Sequence, residues 1–165
     1  MKLEEIAPYL PYGLRCITKL QKVNGENWGK LLCYGLTSEH ALFYPDGGDE
    51  CAELFEDIKP IVRPLDLTRE IEHNGKKFVP IEVLLGVTDE TRHNVEIIYR
   101  EAKIIRLSRW DVYCNFEDRK DFVETVPINT FAWPFYRVQK LLEWHFDVFG
   151  LIERGEAIDI NTLNE

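Results

Sequence analysis

The broadest hydrophobic pattern in the chain lies near its C-terminus, over residues 131–154. At about 100° per residue, Phe131, Phe135, Val138, Leu141, Leu142, His145, Phe146, Val148, Phe149 and Ile152 cover roughly half of a helical circumference. Tyr136, Lys140, Glu143 and Asp147 take the opposite stripe. The pattern predicts one long helix, 131–154, buried along its apolar arc against a sheet or a partner helix. Asn129 or Thr130 is placed to cap it, Pro134 falls in the first turn where no N–H is needed, and Gly155 suits the C′ position. Gly150 is a weak point inside the predicted helix.

The period changes in the N-terminal part. Leu14, Cys16, Thr18 and Leu20 alternate with Arg15, Lys19 and Gln21, as in a half-buried strand, with Ile17 the exception on the polar side. Further strands are expected within 30–36, 40–44, 51–55 and 58–62, separated by turns at Asn24-Gly25 and at 45–48. Short strands at this spacing suggest an antiparallel set, either an SH3-like barrel or a flat meander on the C-terminal helix. Ahead of them, residues 2–10 suit a short helix that Pro8 ends or bends.

Pro60 and Pro64 mark a boundary. A small β-rich region, 1–64, precedes a mixed region, 65–165, unless the whole is one domain. In the second region Asn74-Gly75 reads as a hairpin turn beside a strand at 77–79, and Pro80 opens a short helix at 81–85 that Gly86 stops. The β-branched residues of 95–107 favour a strand, and 110–116 alternates clearly. The two would pair around 107–109. The expected class is α+β.

Composition narrows the function. The chain has 165 residues, 45% hydrophobic and 30% charged, with a formal net charge of -9. That suits a folded domain and opposes non-specific binding to phosphate. The densest basic group, Arg100, Lys103, Arg106 and Arg109, is the candidate nucleic-acid contact, with Lys19 and Lys22 in the small barrel as a second. Asp46, Asp49, Glu50, Glu53, Glu56 and Asp57 form an acidic run without an intervening base. Such a run is a solvated edge or a contact surface for a basic protein partner. Its spacing does not fit a calcium loop.

No catalytic, cofactor or metal motif is present. There is no GxSxG, Gly-rich phosphate loop, HExxH or CxxC. Cys16, Cys33, Cys51 and Cys114 read as free thiols of a reducing compartment. His145 sits on the apolar arc with no acidic or histidine partner one turn away, and His40, His73 and His93 are widely spaced. The charged N-terminus and the lack of a long apolar run point to a cytoplasmic protein without a membrane span.

Three groups of residues carry a resemblance. They are 3–13 (LEEIAPYLPYG); 58–68 (IKPIVRPLDLT) with 72–81 (EHNGKKFVPI); and 141–152 (LLEWHFDVFGLI) with 157–161 (AIDIN). Together they resemble a family of small uncharacterised proteins encoded by phages, prophages and mobile elements of anaerobic gut bacteria. The resemblance implies a cytoplasmic accessory protein of a phage or mobile element, with no activity or site residues attached. The expectation is a non-enzymatic protein that binds a host or phage protein. The alternatives are nucleic-acid association through the small barrel or the basic group, and an enzyme whose site gathers dispersed residues, such as His73, His93 or His145 with carboxylates.

Overall fold

A four-residue helix, α1 (Leu3–Ile6), opens the chain and passes into a 3-10 turn at Ala7–Tyr12. The Glu5 carboxylate accepts the Lys2 N–H at 2.8 Å, which caps the first turn. Two prolines, Pro8 and Pro11, stand within the 3-10 segment, so the α-helix stops where the sequence predicts. The computed structural model describes residues 1–19, 30–45, 49–87, 95–100, 103–108, 122–127 and 133–163. They group into two units, Met1–Leu65 with Gln139–Glu165, and Asp66–Val138.

The first unit holds a six-stranded sheet. Its strands are β1 (Arg15–Thr18), β2 (Lys30–Leu36), β3 (His40–Phe43), β4 (Cys51–Leu54) and β5 (Ile58–Val62). All five sit within the stretches predicted from alternation. β1 pairs antiparallel with β2 and β5, and β3 pairs antiparallel with β2 and β4. The C-terminal segment adds a two-residue strand, β11 (Ile158–Asp159), parallel to β5. Among the described residues the order is β11-β5-β1-β2-β3-β4, and the two ends do not pair. The expected antiparallel strand set is present, and no closed barrel is seen among the described residues.

One face of this sheet is core. Cys16, Thr18, Leu31, Cys33, Ala41, Phe43 and Ile58 are buried in it, together with Ile6, Tyr9 and Leu14 from the N-terminal segment. Leu141, Leu142, Trp144, Phe146, Val148 and Leu151 are buried in the C-terminal segment of the same unit. Cys16, Cys33 and Cys51 are free thiols. Burial pushes Cys16 and Cys33 above the ordinary thiol range, so they behave as small apolar residues.

The second unit carries a hairpin of β6 (Ile71–His73) and β7 (Lys76–Phe78). Asn74 and Gly75 turn it with φ of 51° and 73°, as an Asn-Gly hairpin requires. Next comes α2 (Pro80–Leu84), with Pro80 at its start. Gly86 ends it, with φ of 68°, the Gly86 N–H on the Val83 carbonyl and the Val87 N–H on the Glu82 carbonyl. A three-stranded antiparallel sheet follows, from β8 (Val95–Arg100), β9 (Lys103–Ser108) and β10 (Phe122–Pro127), in the order β10-β9-β8. The single strand expected over 95–107 is thus two strands folded back on each other, paired from Val95↔Ser108 to Arg100↔Lys103. The strand expected at 110–116 lies outside the described residues.

The main correction concerns the C-terminal helix. α3 covers Phe135–Glu143, nine residues, rather than 131–154. It ends because His145 adopts φ of 59°. The His145 N–H bonds the Leu142 carbonyl at 3.0 Å and the Phe146 N–H bonds the Leu141 carbonyl at 2.8 Å. This is a Schellman ending with histidine where glycine is usual, and Leu141 and Phe146 are both buried beneath it. From Trp144 onward the chain leaves the helical wheel. Asp147, expected on the polar stripe, is buried, while Phe135, expected on the buried arc, is 78% exposed. Gly155 does close a turn, with φ of 70° and the Glu156 N–H on the Leu151 carbonyl at 2.9 Å. The capping positions Asn129 and Thr130 lie outside the described residues.

Within the turns after α3, Phe146 is bridged to Arg63, the residue just past β5. The Arg63 N–H donates to the His145 carbonyl and the Asp147 N–H donates to the Arg63 carbonyl, each at 2.7 Å, which makes a parallel bridge between Arg63 and Phe146. The Arg63 guanidinium also donates to the Trp144 carbonyl at 3.2 Å.

Candidate functional site

Alternation along β2 puts Leu31 and Cys33 into the core and turns Lys30, Leu32 and Tyr34 outward. The pairing carries this outer face across the sheet. Arg15 on β1 stands opposite Leu32, and Ile17 stands between Lys30 and Lys59. On β3 and β4, Leu42 stands opposite Ala52 and His40 opposite Leu54. Lys30, Arg15, Lys59, Ala52 and Leu54 are exposed; Ile17, Leu42 and His40 are half-buried.

The face has an aromatic centre. A bulge between Cys33 and Gly35 leaves Tyr34 outside the regular register. Gly35 permits it, since a Cβ there would meet the Leu42 side chain at 3.2 Å. Tyr34 stacks on Tyr44, with ring centroids 4.4 Å apart and planes 17° from parallel. Tyr44 follows the paired Phe43, and Glu50 precedes its partner Cys51. The Tyr44 hydroxyl donates to the Glu50 carboxylate at 3.3 Å. Partial burial, followed by contact with Glu50 and Tyr44, raises the Tyr34 phenol above its ordinary value. Leu32 is 55% exposed and Tyr44 59%, so large apolar side chains face solvent where a sheet surface is ordinarily polar.

The acidic run borders this face. Asp49 and Glu50 lead into β4, Glu53 is within it, and Glu56 and Asp57 form the turn before β5. Asp46 lies outside the described residues. Among the described residues β4 is last in the strand order, so Glu53 lies along its side, while Asp57 sits at the β5 end of the run against Lys19. Lys19 reaches into it and ion-pairs with Asp57. That carboxylate, with Glu56 and Glu53 nearby, raises the Lys19 ammonium. Partial burial and then Asp57 raise Glu53.

The other candidates are dispersed. Arg100 pairs with Lys103 at one end of the β8–β9 hairpin, while Arg106 stands three positions on, between Ile97 and the acidic Glu124. Arg109, Lys22 and His93 lie outside the described residues. His73 is hydrogen-bonded to Asn74 in the hairpin turn at 3.1 Å, and His145 shapes the end of α3. Among the described residues no group of three or more His, Cys, Asp or Glu is arranged to hold a metal ion, and no helix is long and apolar enough to cross a membrane.

The aromatic pair was open to sequence reading only in part. Alternation separates Leu32 and Tyr34 from Leu31 and Cys33, but both sets are apolar, so it does not say which faces solvent. Compared with known proteins, the chain matches no family model, no curated protein and no solved structure.

Proposed function

We propose that the chain is a non-enzymatic accessory protein that acts by binding another protein through the outer face of its six-stranded sheet. The observation that carries this reading is the stacked Tyr34–Tyr44 pair, exposed with Leu32 and Leu54 on the side opposite the core. Tyrosine supplies a large contact area with few rotatable bonds and a polar tip, which suits a surface that is wet when free and covered when bound. The acidic border would add charge selectivity and speed to the encounter. The setting, a cytoplasmic protein of a phage or mobile element acting on a host or phage protein, rests on the sequence resemblance.

A photo-crosslinking residue at position 44, with one at exposed Glu72 as control, tests the reading in cells. A discrete protein adduct at position 44, absent at 72 and lost with Tyr34→Ala, is the expected result. Equal labelling at both positions, or none, would overturn it.

A further inference from the structure

Tyr34 and Tyr44 each spend one ring face on the other, so each keeps one face turned away from the stack. Tyr44 is the more exposed of the two. Its hydroxyl donates to the Glu50 carboxylate at 3.3 Å, which sets an anion at the outer end of the ring. Glu50 and its neighbour Asp49 are both exposed. Among the described residues no cation is ion-paired with Glu50, and none stands over either tyrosine ring. The nearby cations have other places: Lys19 is paired with Asp57, Arg15 lies past Leu32 on the next strand, and Lys30 and Lys59 are level with Ile17.

An open aromatic face carries negative charge density, and a carboxylate beside it adds a full charge, so the pair is suited to a cation. On the reading that this face contacts protein, we infer that the partner's anchor is a single arginine, with its guanidinium laid on the free face of Tyr44 and its N–H groups turned to Glu50. Arginine suits the place better than lysine. Its planar head stacks on a ring while presenting in-plane donors to a carboxylate, whereas an ammonium is a compact, strongly hydrated point charge. The bond from the Tyr44 hydroxyl does not fill Glu50, because a carboxylate offers about four acceptor sites. The resulting N–H bonds are charge-assisted and stronger than neutral ones. A run of basic residues fits less well. A partner crossing the strands from Tyr44 toward β1 would pass over Leu32 and then meet Arg15, so the side chain next to the anchor should be apolar. The partner is therefore a protein surface that presents one arginine beside apolar side chains.

Titration of the isotope-labelled, purified chain with N-acetyl-arginine methylamide, followed by NMR, tests this. The lysine and citrulline analogues are the controls; citrulline keeps the shape of the arginine side chain without its charge. A saturable shift centred on Tyr34, Tyr44 and Glu50 is expected with arginine, in the millimolar range that suits one anchor residue. Lysine should bind more weakly and citrulline should give no saturable shift. Glu50→Gln and Tyr44→Leu should each weaken arginine binding by about fivefold or more. Both positions are exposed, and matching thermal unfolding curves would show that the variants fold. The inference is overturned by the absence of a saturable shift with arginine, by lysine or citrulline binding as well as arginine, or by indifference to Glu50→Gln. If arginine fails in this way while crosslinking from position 44 still captures a protein in a Tyr34-dependent manner, the arginine inference falls and the binding reading stands. If neither is seen, both fall.

Discussion

The Tyr9 hydroxyl donates to the Phe146 carbonyl at 2.7 Å and accepts the Val148 N–H at 3.2 Å, so one buried side chain serves two backbone groups at the far end of the sequence. Tyr9→Phe keeps the ring, including its edge-on contact with Phe149, but takes one buried partner each from the Phe146 carbonyl and the Val148 N–H, which keep a 2.9 Å bond to each other. The expected loss of stability is about 0.5–1.5 kcal/mol, read from the midpoint of urea unfolding. An unchanged midpoint would mean that the hydroxyl is dispensable.

The same hydroxyl predicts a pH effect. Burial, the largest influence, and the Asp147 charge raise the Tyr9 phenol well above its ordinary value, although the Val148 N–H opposes the rise. A group whose folded pKa is raised favours the fold below the unfolded pKa, here about 10, and that contribution is lost as pH climbs through the folded value. Unfolding by alkali should therefore be less steep in Tyr9→Phe than in the parent above about pH 10. Parallel curves would show that other groups govern alkaline unfolding.

His145 makes a sharper test of the helix ending. Its φ of 59° is tolerable for histidine but severe for a β-branched residue. His145→Val should cost about 1–2 kcal/mol from the left-handed backbone alone. His145→Asn should lose much less, because asparagine visits this region readily. If valine and asparagine are equally tolerated in thermal unfolding, the Schellman ending does not limit α3.

That residue also explains where sequence reading succeeded and where it stopped. The turns at Asn74-Gly75 and Gly86 were legible because the residues themselves favour positive φ. Strands β1 to β5 were legible because alternation and turn chemistry agreed. The end of α3 was not: Trp144, His145 and Phe146 continue an apolar helical pattern, and histidine is not a usual stop signal. Burial of Asp147 was hidden for the same reason, since its place on the wheel assumed a helix that had already ended. The candidate face was half legible. Its residues could be grouped by alternation, but which side was core depended on the N-terminal tyrosine and the C-terminal turns reaching one face from positions distant in sequence.

Asp147 replaces the missing helix with a different local order. Its carboxylate accepts the Leu151 N–H at 2.8 Å and the Ile152 N–H at 2.7 Å, holding the turns that contain Gly150. Asp147→Ala would leave both donors without their acceptor, at a cost of about 1–3 kcal/mol. Amide exchange at Leu151 and Ile152 should accelerate more than exchange at Cys16 or Cys33 in the sheet. A uniform acceleration across both would show that the turn has no separate stability.

The last test concerns the joining of the chain ends within the first unit. The N-terminal ammonium of Met1 donates to Glu156 at 2.8 Å, and Arg154 bridges Glu5 and Glu156 at 2.7 Å to each. Arg154 also donates to the Phe149 carbonyl at 2.8 Å. The Met1 ammonium first, and then Arg154, hold the Glu156 carboxyl below its ordinary range. A depressed carboxyl pKa stabilises the fold above the unfolded value, and the benefit disappears as pH falls through the folded one. Arg154→Ala should therefore lower the unfolding midpoint near neutral pH and make less difference in acid. Because the cluster is partly solvent-exposed, added salt should shrink the neutral-pH difference as well. A deficit that is the same in acid and insensitive to salt would assign the role of Arg154 to its bond with the Phe149 carbonyl, and not to its charge.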